Sequence, residues 1–168
     1  MSYKKIDIAQ VKENAVTLFS ENWALLTAGD RVAHNSMTVS WGLMGELWGK
    51  HVAVAFVRPQ RYTREFADRN DCFSLSFYGG EDCKKELGVF GGKSGRDIDK
   101  YKETGISPLF EEEWVYTDKS NIVLLCKKIA VQGFDPAGFL IPEIAECYPN
   151  NDHHIIYVGE IVSTLERE

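Results

Sequence analysis

The sequence has no long hydrophobic run and no paired cysteine motif. Its longest apolar stretches, such as residues 52–57, are far shorter than the roughly 18 residues that a membrane-spanning helix needs. The four cysteines are scattered and contain no C-x-x-C pair: Cys72, Cys83, Cys126 and Cys147. Neither a zinc ribbon nor a disulfide-stapled mini-protein is therefore indicated, and we expect buried, reduced thiols.

Positive charge is also in deficit. The chain carries 19 Lys and Arg against 25 Asp and Glu, a formal net charge of −6. A general nucleic-acid binder needs a basic face, so this balance argues against that class. The polar start of the sequence, MSYKKIDIAQVKENAV, lacks the apolar segment of a secretory signal. We therefore expect a cytoplasmic protein with no nucleic-acid or membrane partner.

What the chain does have is enough apolar sequence for one packed domain. Its 168 residues, 44% of them hydrophobic, predict a single domain over residues 1–168. Within it, we predict an N-terminal helix over 7–19, capped by Asp7, and a barrel over about 20–165. Seven segments rich in β-branched and aromatic residues predict strands: 23–27, 36–41, 52–57, 72–78, 114–116, 122–131 and 155–165. Short helices are predicted over 63–69, 82–87, 96–103 and 137–147. This pattern favours a mainly β, mostly antiparallel barrel over a doubly wound sheet.

Several familiar motifs are absent on inspection. The segment GVFGGKS at 88–94 nearly spells a P-loop, but Leu87 stands where the first glycine should be. We predict a flexible turn there, with Ser94 capping a helix that starts near Arg96. The histidines are isolated or adjacent and predict no metal site. The sequence contains no G-x-S-x-G nucleophile elbow, so no motif indicates a hydrolase.

Two neighbouring segments carry residue types that suit a ligand. In NSMTVSWG, residues 35–42, small hydroxyl side chains share one face of a predicted strand, and a plain strand with one solvated face is the alternative. In RPQRYT, residues 58–63, two arginines, a tyrosine and a threonine lie at a strand-to-helix junction. Such a junction can hold a phosphate by charge-assisted hydrogen bonds and a helix N-terminus, whereas solvated surface arginines are the alternative.

Three further cations strengthen the ligand interpretation. Lys93, Arg96 and Lys100 follow the glycine cluster and concentrate positive charge in an otherwise acidic chain. Trp41 and Tyr62 would suit an aromatic ligand. The combination therefore predicts a small aromatic ligand that bears a phosphate.

At these residues the sequence resembles the flavin reductase-like, FMN-binding split-barrel family, and within it the flavoredoxin-like branch. The resemblance is carried by WALLTAGD (23–30), NSMTVSWGLMGELWGK (35–50), VRPQRYTREF (57–66), SGRDIDKYK (94–102) and HHIIYVGEI (153–161). Their order and spacing match over about residues 20–165. The resemblance implies a six-stranded antiparallel Greek-key split barrel with short peripheral helices. It also implies a homodimer with FMN near the subunit interface.

The same resemblance implies roles for individual residues. The isoalloxazine and ribityl chain would be lined by Asn35, Ser36, Met37, Thr38, Ser40 and Trp41. The ribityl and phosphate oxygens would be held by Arg58, Arg61, Tyr62 and Thr63, with Ser94 and Lys100 closing over the phosphate.

His154 would lie near the flavin ring, where a reductant approaches. If protonated, it would stabilise reduced, anionic FMN, and a plain strand histidine is the alternative. Residues 43–50 would form either a wall or lid of the cleft or part of the dimer interface.

The function implied is that of an FMN-binding oxidoreductase, similar to a flavin reductase or flavoredoxin, which moves a hydride or electrons between NAD(P)H or a protein donor and FMN. The cofactor carries such chemistry, so no protein nucleophile is needed. The chain lacks the G-x-G-x-x-G of dinucleotide-binding domains, so NAD(P)H would have to lie against the flavin in an open cleft.

Three alternatives remain open at this stage. One is a non-catalytic FMN carrier that shuttles electrons between protein partners. Another is a split-barrel protein that binds haem or a different phosphorylated aromatic ligand, such as pyridoxal phosphate. The last is an interaction domain with a degenerate pocket.

Overall fold

The N-terminal region is more broken than predicted. The computed structural model describes residues 2–79 and 83–168. It begins with strand β1 (Tyr3–Ile6), followed by a 3-10 turn (Ile8–Gln10), a short helix α1 (Ala15–Thr17) and a π-helical stretch (Leu18–Asn22). The predicted helix over 7–19 is therefore wrong in extent. Asp7 does cap a helical start, but Asn14 caps a second one through Val16 N at 2.8 Å, which divides the segment.

Strands and short helices then alternate along the chain. They are β2 (Ala24–Gly29), β3 (His34–Val39), β4 (Gly42–Leu47), β5 (Lys50–Val57), α2 (Tyr62–Arg69), β6 (Cys72–Phe77), α3 (Lys84–Gly92), α4 (Lys100–Thr104), β7 (Pro108–Glu111), β8 (Trp114–Thr117), β9 (Ile122–Gly133), α5 (Glu143–Glu146) and β10 (Ile155–Arg167). No helix in the described ranges has the length and apolarity needed to cross a bilayer.

Eight strands form one antiparallel sheet. Its order is β3-β2-β6-β9-β10-β5-β4, with β1 also paired to β10, while β7 and β8 form a separate hairpin. Six of the strands, β2, β3, β5, β6, β9 and β10, direct alternate side chains such as Leu26, Leu75 and Leu124 into one core. The mainly antiparallel β fold is thus confirmed. The strand count exceeds six because β1, β4 and the β7–β8 hairpin lie outside this six-stranded core.

Three helix predictions need correction. The predicted helix over 137–147 is only a 3-10 turn (Pro136–Gly138) and α5, because Pro142 cannot continue a helix begun before it. The glycine cluster at 88–92 is the end of α3 rather than a turn, and the predicted start at Asp82 lies outside the described residues. The helix predicted over 96–103 begins only at Lys100. There Asp99 accepts a hydrogen bond from Lys102 N at 3.1 Å.

Cys72, Cys126 and Cys147 are free thiols, and the four cysteines are not all buried. Cys72 and Cys126 lie in the interior as expected, Cys83 is half-buried, and Cys147 is exposed. Burial, with the nearby charge of Glu113, raises the pKa of Cys72 to about 11. That thiol is therefore unreactive at neutral pH.

Candidate functional site

Two adjoining clefts lie where the ends of β3 and β5 meet α2, α3 and α4. One, here called the aromatic cleft, has a volume of about 300 Å³ and contains Trp41, Phe56 and His154. The other, the cationic cleft, has a volume of about 140 Å³ and contains Arg61 and Lys100. Met37 and Arg61 line both, so the two clefts share a wall.

The structure brings nearly all the sequence-predicted site residues to these clefts. The aromatic cleft holds Met37, Thr38, Ser40, Trp41, Arg58, Arg61 and His154. The cationic cleft holds Asn35, Met37, Arg61, Tyr62, Thr63, Ser94 and Lys100. Ser36 lines neither cleft, because its side chain is fully buried and bonded to Thr27 and Tyr101.

The hydroxyl face of β3 is packed rather than solvated. The Oγ of Ser36 lies 2.7 Å from the hydroxyl of Tyr101 in α4, and Thr38 donates to Leu87 O in α3 at 2.5 Å. On the opposite face, Met37 and Val39 enter the main core. Both faces of β3 are therefore fixed, which gives the two clefts a rigid floor.

Lys100 is the most unusual residue of the cationic cleft. Only 3% of it is exposed, and its ammonium group donates to Ser36 O and lies 5.3 Å from the centre of the Phe90 ring. Within residues 2–79 and 83–168 it has no carboxylate partner. Burial, followed by the charge of Arg61, lowers the pKa of Lys100 to about 8. A buried ammonium without a counterion costs several kcal/mol, which a bound anion would offset.

Arg61 is the second cation of this cleft, and it too has no acidic partner among the described residues. Its guanidinium donates to Gly91 O at 2.7 Å and Phe90 O at 3.2 Å, at the C-terminal end of α3. Carbonyls at a helix C-terminus attract a cation, so α3 holds Arg61 in place. Burial lowers the pKa of Arg61. Its charge is only partly offset by these carbonyls.

The start of α2 completes the cationic cleft. No side chain from the described residues caps this helix at Arg61. Thr63 is 1% exposed, and its Oγ1 accepts a hydrogen bond from Asn35 Nδ2 at 2.7 Å. The Thr63 hydroxyl proton therefore stays available, beside first-turn N–H groups of the kind that bind anions.

The other cations near this cleft are already neutralised. Lys93 pairs with Glu103, and Arg96 pairs with Glu65 while its guanidinium lies 4.5 Å from the centre of the Tyr62 ring. Both side chains are roughly half exposed. Of the cations predicted to gather here, Lys100 and Arg61 are therefore the ones whose charge remains to be balanced.

The backbone at Gly95 approaches the cleft wall closely. A Cβ at this position would overlap Asn35 Oδ1 and lie 3.2 Å from Tyr62 Cδ1. Ser94, just before it, accepts a hydrogen bond from Arg96 N at 3.2 Å, but this bond closes a turn, and the predicted Ser94 helix cap is wrong because the helix begins at Lys100 with Asp99 as its cap. Glycine is therefore required at Gly95 for the 93–99 loop to close against α2.

In the aromatic cleft, Trp41 and His154 lie side by side. Their ring centroids are 4.8 Å apart, and Trp41 is 45% exposed whereas His154 is 7% exposed. His154 precedes β10 and, unlike its neighbour His153, lines the cleft. Trp41 thus presents an open aromatic surface beside a nearly buried imidazole.

His154 is neutral at physiological pH. Burial, followed by the positive charge of Arg58, lowers its pKa to about 4, against a smaller opposing effect of Asp152. Its Nδ1 lies 2.9 Å from the hydroxyl of Tyr148. A protonated His154 is therefore not available to stabilise a negative charge, and Arg58 is the permanent cation at this end.

Arg58 lines the aromatic cleft and not the cationic one. It donates to Asp152 Oδ2 at 2.5 Å and to Cys147 O at 2.9 Å, and Gln60 donates to the same carboxylate oxygen at 2.7 Å. These bonds tie the turn after β5 to the β9–β10 connection, residues 134–154. Arg58 therefore lies at the end of the site away from Lys100.

Sequence reasoning missed several contributors. Phe56, Gln60, Gly91, Gly92 and Gly95 line the clefts, and Tyr148 and Asp152 hold His154 and Arg58. Gly91 and Gly92 stood in the segment interpreted as a turn, Gly95 directly followed it, and Gln60 lay inside RPQRYT. Tyr148 and Asp152 carried no local signal, because their partners are brought to them by the fold.

Residues 43–50 line neither cleft. They form β4 and a tight turn at Trp48 and Gly49, which have positive φ values of 56° and 69° and lead directly into β5. Leu43 is 59% exposed and Trp48 67% exposed on this sheet edge. Leu43 also lines an apolar groove with Trp41 and Phe56, next to the aromatic cleft.

In sequence, the chain matches no protein-family model and no curated protein. In structure, it is similar to an FMN-binding domain of a flavin reductases-like enzyme from Shewanella baltica OS155, with a TM-score of 0.68 and 15% identity over 98% of this chain and 77% of that one. A flavoredoxin from Methanosarcina acetivorans superposes with a TM-score of 0.66 and 21% identity, over 98% and 76% of the two chains. An NADH:FAD oxidoreductase from Streptomyces globisporus C-1027, in complex with NAD and FAD fragments, superposes with a TM-score of 0.65 and 14% identity, over 87% of this chain and 75% of that one.

The chain has the FMN-binding split-barrel fold. The fold expected from the sequence resemblance is thereby confirmed. At these identities the likeness concerns the fold alone, because one fold carries many functions. The function of this split barrel has to be argued from its two clefts.

Proposed function

We propose that this split barrel binds FMN, with the phosphate in the cationic cleft and the isoalloxazine in the aromatic cleft. The observation that carries the proposal is a pair of cations, the buried Lys100 and the partly buried Arg61, which have no carboxylate partner in the described residues. A phosphate is the ligand whose charge would balance both. The adjoining aromatic cleft suits a planar ring attached to that phosphate.

The residues present match the parts of FMN. Lys100, Arg61, the Thr63 hydroxyl and the N-terminus of α2 would hold the phosphate, with Ser94 at its side. Asn35, Tyr62 and the β3 backbone from Met37 would follow the ribityl chain. Trp41, Ser40, Thr38 and His154 would line the isoalloxazine, together with the guanidinium of Arg58, which Asp152 holds in place.

The proposed reaction is that of an oxidoreductase. Bound FMN would supply the redox chemistry by exchanging a hydride or electrons with NAD(P)H or a protein donor. The protein's own residues would bind and orient the flavin and set the electrostatic field around its ring. The half-exposed Trp41 leaves the aromatic cleft open to a reductant, and an NADH:FAD oxidoreductase with this fold supports a nicotinamide as that reductant.

A purely electron-carrying flavoprotein is the second candidate. It is favoured by the similarity to a flavoredoxin and needs the same residues. Binding of pyridoxal phosphate is less well supported. The site continues past the cationic cleft into a second one of about 300 Å³, which is more space than its single small ring needs.

Self-association is part of the proposal. The edge strand β4 exposes Leu43, and the adjoining turn exposes Trp48, beside an apolar groove of about 450 Å³. A second copy of the chain is the proposed occupant of this edge, since an uncovered apolar edge strand invites pairing. A cytoplasmic location also stays a proposal, which the free thiols of Cys72, Cys126 and Cys147 favour.

The direct test is the visible spectrum of the purified protein, recorded with and without added FMN. We expect a flavin spectrum that is perturbed by the protein, and release of FMN on denaturation. Trp41→Ala should alter the bound-flavin spectrum, whereas Trp48→Ala, which changes a residue outside both clefts, should not. Loss of visible absorbance when NAD(P)H is added anaerobically would mark a reductase, and its absence a carrier. A protein that leaves the FMN spectrum unchanged would refute both.

A further inference from the structure

The Tyr148 hydroxyl makes a buried contact that the proposed flavin site does not use. It lies 2.9 Å from Nδ1 of His154, and the two rings pack edge to face with centroids 5.5 Å apart. Tyr148 is 5% exposed and does not line the aromatic cleft. The hydroxyl of this residue therefore acts on the cleft through His154.

The direction of this hydrogen bond follows from the chemistry of the two groups. A phenol hydroxyl is a better donor than a neutral imidazole N–H, and an imidazole nitrogen is a better acceptor than a phenol oxygen. If Nδ1 donated instead, the Tyr148 proton would have no acceptor among the described residues. The favoured arrangement places the proton of neutral His154 on Nε2.

The groups around His154 also keep it uncharged. The charged and titratable side chains that face it are Tyr148, Arg58 and Asp152. The Arg58 guanidinium is fixed by Asp152 and lies 5.3 Å from the centre of the Tyr148 ring. A second positive charge on His154 would be repelled by this fixed cation.

We propose that Tyr148 is a positioning residue, which holds His154 as the neutral tautomer with Nε2–H directed at the aromatic cleft. This inference rests on the proposed function, because the ligand that would accept a hydrogen bond from Nε2–H is the flavin. The site would then offer the flavin ring the Arg58 guanidinium, which is held by Asp152, and one fixed neutral donor, His154. His154 would keep its neutral form between about pH 5.5 and 8.

The consequence for the flavin is specific. A neutral donor at a fixed place can bond a ring carbonyl or nitrogen equally well across that pH range, because its charge does not change. Without the Tyr148 hydroxyl, the imidazole of His154 can take either tautomer. Loss of the hydroxyl also removes a bond that stabilises the neutral form, so the pKa of His154 rises.

The test is 15N NMR of the imidazole nitrogens in the whole protein, with and without FMN. In the wild type we expect His154 to stay neutral with the proton on Nε2 from about pH 5.5 to 8, and saturation with FMN should shift the Nε2 resonance. Tyr148→Phe should give a mixture of tautomers and raise the pKa of His154 by about 0.5 to 1, as expected for one lost hydrogen bond. Tyr78→Phe is the matched control, because it removes a buried hydroxyl bonded to Thr117 in another part of the fold.

Each contrary result identifies what fails. A proton on Nδ1, or a His154 that titrates near 6.5 in the wild type, would overturn the inference even if FMN binds. An unchanged tautomer in Tyr148→Phe would do the same, as would an Nε2 resonance that stays in place when FMN is shown to be bound. Absence of FMN binding with the expected tautomer would refute the proposed function alone.

Discussion

Burial and the charge of Arg61 together lower the pKa of Lys100 to about 8, because both cations line one narrow cleft. Arg61 is held by the carbonyls at the end of α3, and Lys100 by Ser36 O. Such an arrangement is unfavourable in the free protein and favourable once an anion is bound. Stability and binding should therefore respond in opposite directions when one cation is removed.

Lys100→Met tests this opposition. Removal of the ammonium should weaken FMN binding by about 1.5–3 kcal/mol, or roughly 10- to 150-fold in Kd, the value of a hydrogen bond to a charged group. The FMN-free variant should unfold at the same or a higher temperature, because a buried, unpaired charge has been removed. Flavin titration and thermal unfolding measure the two effects.

Lys102→Met is the matched control. Lys102 is exposed, two positions along the same helix, and lines neither cleft. It should change neither quantity. Equal FMN affinity in Lys100→Met and Lys102→Met would remove Lys100 from the site.

The pH dependence of binding gives a second test of Lys100. Its pKa of about 8 in the free protein lies below the usual 10.5, so the ammonium loses its proton as the pH rises through 8. A bound phosphate favours the protonated form, so FMN affinity should fall above about pH 8, by up to tenfold for each pH unit. Lys100→Met should lack this slope between about pH 7 and 9.5. A wild-type affinity that is flat across this range would contradict the assigned role.

The same elements show how far the sequence could be interpreted. The strands β2, β6 and β9 were predictable from segments rich in β-branched and aromatic residues, and α2 was predicted as a short helix over 63–69, because each is a local property of the sequence. The N-terminal helix and the helix over 137–147 failed where Asn14 and Pro142 interrupt an apolar pattern that would otherwise suit a helix. β4 and β7 were missed because they lie at edges, with little burial to impose alternation on their sequences.

The sequence could predict which residues form the site, but not which of its cations are paired with a carboxylate. The arginines and Lys100 could be assigned from their order along the chain and the family resemblance. Glu65 and Glu103 decide which cations are neutralised. Arg58 pairs with Asp152, which lies 94 positions away in the sequence. The neutral state of His154 likewise depends on Tyr148 and on burial, which only the folded chain provides.

Gly95→Ala tests the close approach of the 93–99 loop. The added methyl group would overlap Asn35 Oδ1, so the loop should move away from α2 and FMN binding should weaken at least tenfold. The comparison is Gly88→Ala within α3, where a Cβ meets nothing within 4 Å. That change should leave binding intact and stabilise the fold by about 0.5–1 kcal/mol, measured by denaturant unfolding. Unimpaired FMN binding by Gly95→Ala would show that the loop does not close on the ligand.

The proposed dimer is tested at the edge strand β4. A charge at Leu43 should disfavour pairing of two copies, so Leu43→Lys should shift sedimentation from dimer towards monomer. Val32→Lys is the control, since Val32 is 94% exposed in the turn between β2 and β3 and lines neither the groove nor the two clefts. A wild-type protein that sediments as a monomer, or a Leu43→Lys variant that remains dimeric, would reject this interface.

The most direct measurement of the central claim is a comparison of FMN with riboflavin, which differ only by the phosphate. If Arg61, Lys100, Thr63 and the start of α2 bind that phosphate, FMN should bind at least about 100-fold more tightly than riboflavin. The difference should shrink in Lys100→Met and persist in Lys102→Met. Equal affinity for the two flavins would contradict a phosphate site in the cationic cleft and, with it, the proposed mode of binding.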